Sequence, residues 1–242
     1  MRVKATISYD GSKFFGFQKQ NNTPNTVVES LQKALVSLGV NSKIVGSGRT
    51  DKGVHAVGQV VHFDIPAFWE DKSLIELKNR LNQKLKYIKV KYIKIVDSSF
   101  HAQYSAKVRI YRYLIKSSSL KVFEQNYVSY YKIDNKTLFY KALKLYEGKY
   151  NFKYFKKEGS ITSSNLREIY KVKIRKINSY YAIYFYANGY LRSQVRMMVE
   201  GALKVQKGDI SLENLKEQLN LKSRYFTTLA KPQGLYLLRV IY

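Results

Sequence analysis

From its first residues the chain alternates. Val3, Ala5, Ile7 and Tyr9 share one face of residues 2–9, the two-residue period of a half-buried strand. Residues 10–25 are polar and turn-rich, with Phe14, Phe15 and Phe17 interleaved. The period then changes. Thr26 and Glu29 form a capping box ahead of Val27/Val28, Leu31, Leu35 and Leu38, which predicts a helix closed by Gly39. Ser73 and Glu76 predict a second, with Leu74, Leu77, Leu81 and Leu85 as its buried stripe, and residues 87–96 alternate apolar with lysine as a strand. The order of the first half is therefore strand, helix, strand, loop, strand, helix, strand.

Residues 97–106 read as a connector. Residues 108–116 predict a strand with Val108, Ile110, Arg112 and Leu114 on one face and Arg109, Tyr111, Tyr113 and Ile115 on the other. Asp134 is the expected cap of a helix carrying Leu138, Ala142 and Leu145, ended by Gly148. A polar segment over 156–165 precedes strands at 168–177 and 180–186, a helix from about Leu191 to Val205, a helix capped by Ser211 with Leu212, Leu215 and Leu219, and a strand over 234–242. The second half repeats the element order of the first, although no repeat is visible in the sequence itself. This mixture predicts an α+β fold of mainly antiparallel sheets flanked by helices, with domains at 1–104 and 105–242.

Composition narrows the partners. The formal net charge is +26, from 43 Lys+Arg against 17 Asp+Glu, which favours a polyanion partner, nucleic acid above all. Heavy use of Lys, Tyr, Asn, Ile and Phe, as in AT-rich genomes, offers a second source for part of that charge. Arginine is the more informative cation: there are eleven, with tight clusters at Arg109/Arg112 and Arg192/Arg196. The absence of cysteine removes disulfides, thiol catalysis and thiolate metal sites. The three histidines, His55, His62 and His101, have no zinc-site spacing, so neither metal nor cofactor is expected. No apolar run approaches the ~20 residues that cross a bilayer, and no signal-peptide block opens the chain, so a soluble cytoplasmic protein is expected.

The candidate chemistry lies in residues 43–65, KIVGSGRTDKGVHAVGQVVHFDI. Four of the thirteen glycines fall here, at 46, 48, 53 and 58, between two short apolar segments. At the centre Asp51 stands in the run Arg49-Thr50-Asp51-Lys52, and neighbouring cations favour the ionised form of a carboxylate. Two phosphate-loop patterns fail: Gly53 is followed by Val54 rather than Lys, and Asp51 stands where a dinucleotide fingerprint needs its third glycine.

GRTDKGVHAVGQVVHF resembles the signature of the TruA-type tRNA pseudouridine synthases, GRTD-x-GVH followed by a Gly-Gln-Val strand. Tyr9-Asp10-Gly11 through Gly16-Phe17-Gln18 is similar to the family's opening segment. Phe100-His101-Ala102 with Tyr111-Arg112-Tyr113 is similar to its second motif, Arg192 with Val195-Arg196 to its helical motif, and Gly234-Leu235-Tyr236-Leu237 to its C-terminal strand. Departures occur at Gln103, at Leu85-Lys86-Tyr87, and at Gly148-Lys149-Tyr150-Asn151-Phe152.

The resemblance implies two similar α/β sandwich halves with a basic cleft between them, a homodimer, and isomerisation of uridine to pseudouridine at positions 38–40 of the tRNA anticodon arm. It makes Asp51 the essential carboxylate, by attack at C1′ or by removal of a ribose proton; both routes stay open. It implies that Arg196 keeps Asp51 ionised, that Tyr111 stacks on the uracil and serves proton transfer at C5, that Arg49 helps to turn the base out, and that Leu237 packs against it. Two rivals remain: a catalytically silent RNA-binding protein, and a glycosidase or nuclease using Asp51 with Asp64 or His55.

Overall fold

The alternation at the head of the chain becomes β1 (Arg2–Tyr9), whose Val3, Ala5, Ile7 and Tyr9 are buried while the intervening residues are not. The computed structural model describes residues 1–69, 73–159 and 162–242. After β1 come α1 (Val27–Val36), β2 (Val45–Gly46), β3 (His55–Asp64), α2 (Leu74–Lys84) and β4 (Ile88–Ile95). Then follow β5 (Val108–Lys116), β6 (Ser129–Tyr130), α3 (Lys136–Lys144), β7 (Gly148–Asn151), β8 (Leu166–Ile177), β9 (Tyr180–Ala187), α4 (Gln194–Lys207), α5 (Leu212–Leu219) and β10 (Leu235–Ile241). Residues 160 and 161 of the polar segment lie outside the described residues.

Contacts divide the chain into two units, Met1–Lys107 with Tyr236–Tyr242, and Val108–Leu235. A division at 104/105 leaves residues 236–242 on the other side. They group with the first unit because β10 runs parallel to β3, with Tyr236 opposite His55 and Leu237 opposite Ala56.

In the first unit the strand order is β4-β1-β3-β10, and β1 is antiparallel to both β3 and β4. The short β2 pairs with β3 at Val61 and His62. β3 is buried over nearly its whole length, so its sequence shows no clean alternation. α1 buries Val27, Val28, Leu31, Ala34 and Leu35, and the Thr26 hydroxyl accepts from the Glu29 amide as expected. The α2 box differs: Ser73 accepts from Ile75, and Glu76 pairs with Arg80 one turn on.

In the second unit the order is β5-β9-β8-β7, all antiparallel, with β6 added parallel to β5. α3 packs on α4, and α5 on both. The α3 cap is Asn135, not Asp134: its side chain accepts from Leu138, and the buried face is Phe139, Ala142 and Leu143. α4 begins at Gln194 rather than Leu191. Ser193 takes a left-handed φ of 60°, and the Gln194 side chain accepts from the Leu191 amide, closing a turn before the helix. Each unit is thus a mainly antiparallel sheet with helices, the α+β class the patterning predicts.

Candidate active site

Asp51 lies on the loop between β2 and β3, half-exposed, with Arg49 exposed beside it and Thr50 buried. Both sides of this loop are held from within the fold. On the leading side the Ser47 amide donates to the Val60 carbonyl at 2.8 Å. Gln59, with no exposed surface, accepts from the Ser47 hydroxyl at 2.6 Å and donates to the Gly48 carbonyl at 2.8 Å. On the returning side the Val54 amide donates to the Asp51 carbonyl at 3.1 Å.

The opening motif supplies the rest. Phe17 donates its amide to the Thr50 carbonyl at 3.1 Å, and the Tyr9 and Thr50 hydroxyls share a buried 2.8 Å bond. Two glycines permit this closeness. A Cβ on Gly11 would stand 2.0 Å from the Val54 carbonyl oxygen; Gly16, at φ +113°, would bring one to 3.0 Å from that of Thr50. The Gly11 amide donates to His55 Nδ1 at 3.0 Å, so that nitrogen is an acceptor here. His55 Nδ1 is also 3.4 Å from an Asp10 oxygen, but accepting a backbone N–H excludes a proton for that contact. The His55 ring stacks on Tyr236 at 4.7 Å. His55 is thus a buried strut. Asp64 lies at the far end of the ten-residue β3, bonded to Arg2 at 2.9 Å. A strand of that length separates its ends by roughly 30 Å. The constellation of Asp51 with Asp64 is therefore not assembled.

Leu237 is wholly buried, one residue beyond the Tyr236 that stacks on His55, and opposite Ala56 of β3.

In the second unit Tyr111 sits in the middle of β5, opposite Phe185 of β9, with little exposed surface. Its ring meets Tyr190 edge to face at 5.0 Å. Burial, followed by the neighbouring Tyr111, pushes the Tyr190 hydroxyl well above the usual phenol range. Arg196 projects from the first turn of α4, and its Nε donates to the Ala230 carbonyl at 2.7 Å while its own carbonyl accepts from the Ala230 amide. This two-way tie fixes the guanidinium against the 224–231 segment. Nearby, Tyr113 donates to the Lys231 carbonyl at 2.6 Å, and burial raises its phenol strongly, with the nearby Tyr131 adding to it.

The five expected residues thus fall three to the first unit, Arg49, Asp51 and Leu237, and two to the second, Tyr111 and Arg196. Sequence reasoning gives Gln59 and Tyr190 no role, and names His55 only as a rival catalytic partner rather than as a support. Gln59 and His55 stand inside the quoted motif. Tyr190 precedes α4, where only its proximity to the helical motif signals it.

A family model described as tRNA pseudouridine synthase matches residues 5–105 and again 142–242. The two matches reveal the repeat that the sequence hides. Among curated proteins, a tRNA pseudouridine synthase A from Helicobacter hepaticus is 40% identical over 243 residues, covering 99% of this chain and 98% of the relative. One from Wolinella succinogenes is 41% identical over 237 residues, covering 98% and 92%. One from Campylobacter jejuni is 35% identical, covering both chains in full. Likeness of this extent, carried through both halves, shows that the chain belongs to the tRNA pseudouridine synthase family.

Proposed function

We propose that this enzyme isomerises uridine to pseudouridine at positions 38–40 of the tRNA anticodon arm, with Asp51 as its catalytic carboxylate. Its family is one of isomerases, and the full-length identity favours an enzyme over a silent RNA-binding protein. The reaction conserves atoms. The N1–C1′ bond breaks, uracil turns, C5 bonds C1′, the C5 proton leaves, and N1 gains one.

The observation carrying the assignment is the build of the Asp51 loop. Hydrogen bonds from Gln59 and Phe17 hold its backbone and a buried bond from Tyr9 holds the Thr50 hydroxyl, while the Asp51 side chain stays partly open. Preorganising a reacting group in this way avoids ordering it during the reaction. The carboxylate either attacks C1′, as glycosidase carboxylates do, or takes a ribose proton. In our reading Arg196 supports its negative charge, Tyr111 stacks on the uracil and moves the C5 proton, and Arg49 steadies the turned-out nucleotide. Leu237 packs against the uracil once the base is turned out. A tRNA substrate and the lack of any helix, among the described residues, long and apolar enough to cross a membrane support a cytoplasmic place. The homodimer is carried by the family likeness alone, and light scattering on the purified protein tests it.

The deciding experiment is Asp51→Asn assayed on an unmodified tRNA transcript. The variant is expected to fold and bind tRNA while pseudouridine formation falls by at least about a thousandfold. Activity close to wild type would remove Asp51 from the chemistry.

A further inference from the structure

Arg109 on β5 and Arg167 on β8 converge beside Gly189. A Cβ built on Gly189 would stand 3.5 Å from Arg167 Nε and 3.8 Å from Arg109 Nη1, so both guanidiniums border one small notch. Backbone carbonyls position them: Arg109 donates to Asn188 at 2.7 Å, and Arg167 to Ser164 at 3.0 Å and to Leu166. Arg167 has no carboxylate partner among the described residues, and alternation along β8 sends the adjacent Glu168 to the opposite face. Arg109 is nearly buried, and the Arg167 guanidinium is destabilised in its charged form, by burial first and then by Arg109. Two like charges held together in partial burial are costly, and an anion between them relieves that cost.

We infer that the Gly189 notch, walled by Arg109 and Arg167, holds a phosphate of the RNA strand. The paired forks match the geometry of phosphate oxygens, and a glycine leaves room for them. Tyr190, the next residue, meets the Tyr111 ring, so the notch adjoins the aromatic face assigned to the target base. The phosphate is thus one close to the nucleotide being modified. This inference rests on the reading of the chain as a tRNA-modifying enzyme.

The test uses the full chain and an unmodified tRNA transcript, with Kd measured over a range of salt and pseudouridine formation followed in parallel. Arg167→Gln is expected to weaken binding about tenfold. It should also flatten the slope of log affinity against log salt by about one. Its kcat at saturating tRNA should stay within about twofold of wild type. Arg167→Lys should keep the salt slope and recover part of the affinity. Gly189→Ala changes no charge and places its methyl at ordinary contact distance, yet fills the notch; it should weaken binding about fivefold. Wild-type Kd and salt slope in both Arg167→Gln and Gly189→Ala would overturn the inference, and if Arg167→Gln fails to fold, Gly189→Ala alone decides it. A wild-type protein that binds tRNA but makes no pseudouridine would instead sink the proposed function, and the binding series would still report on the notch.

Discussion

Gln59 has no solvent to fall back on, so each of its polar atoms depends on a protein partner. Its amide bonds Ser47 and Gly48, twelve and eleven positions earlier. Gln59→Leu removes its bonds to the Ser47 hydroxyl and the Gly48 carbonyl beside the Asp51 loop, which costs about 1–3 kcal/mol in a denaturant titration. If the loop is held as described, kcat should also fall by about tenfold or more with KM little changed, because misplacing a reacting group is costly even at small displacements. Unchanged kcat in a destabilised variant would reduce Gln59 to a packing residue. At this scale the sequence is partly legible. Asp51 stands out as a carboxylate between cations on a glycine-rich loop, whereas the long-range bonds of Gln59 leave no local trace. His62 is similar: its Nδ1 accepts from the Ala102 amide at 3.0 Å, joining β3 to the Phe100-His101-Ala102 motif. Burial, with Arg2 and His101 nearby, makes it harder to protonate.

Among the elements of the described residues, periodicity locates every α-helix but misplaces ends, caps and, in α3, part of the buried face. Asp134 and Asn135 are both good caps, and local sequence does not choose between neighbours. The turn before α4 depends on a left-handed serine, a conformation that pattern does not announce. Two-residue strands such as β6 arise from pairing with β5, and no period encodes them. α4 also carries a tight contact: a Cβ on Gly201 would stand 2.6 Å from Tyr146 Oη and 2.7 Å from Phe226 Cζ. Gly201→Ala should therefore destabilise the second unit by about 1–3 kcal/mol, read as a lowered unfolding midpoint.

A pH effect belongs to this scale too. Glu124 accepts from Lys116 Nζ and the Lys121 amide, both at 2.7 Å, and from the Tyr180 hydroxyl. The Lys116 bond first, then Tyr180, holds its carboxyl down at about 2 from an ordinary 4.5. A depressed folded value means that the stabilisation is complete above pH 4.5 and is lost as pH falls toward 2. Glu124→Gln should flatten that acid limb in unfolding measured across this range.

For the molecule as a whole, the +26 charge makes salt the natural probe. Affinity for tRNA should drop steeply between low and moderate salt as phosphate counterions are retained, and a flat titration would argue against phosphate-dominated docking. The α+β class is legible from the order of periods, but the repeat is not, because the two halves share a chain path more than they share residues. The division of units is less legible still, since pairing rather than composition draws residues 236–242 to β3. That late return has a consequence for biosynthesis. The loop bearing Asp51 is translated early, but its neighbouring strand leaves the ribosome only after the whole of the second unit has been made. A nascent chain therefore carries an unfinished sheet margin throughout elongation, and messages cut short before codon 236 should yield insoluble or proteolysed product rather than a weakly active fragment.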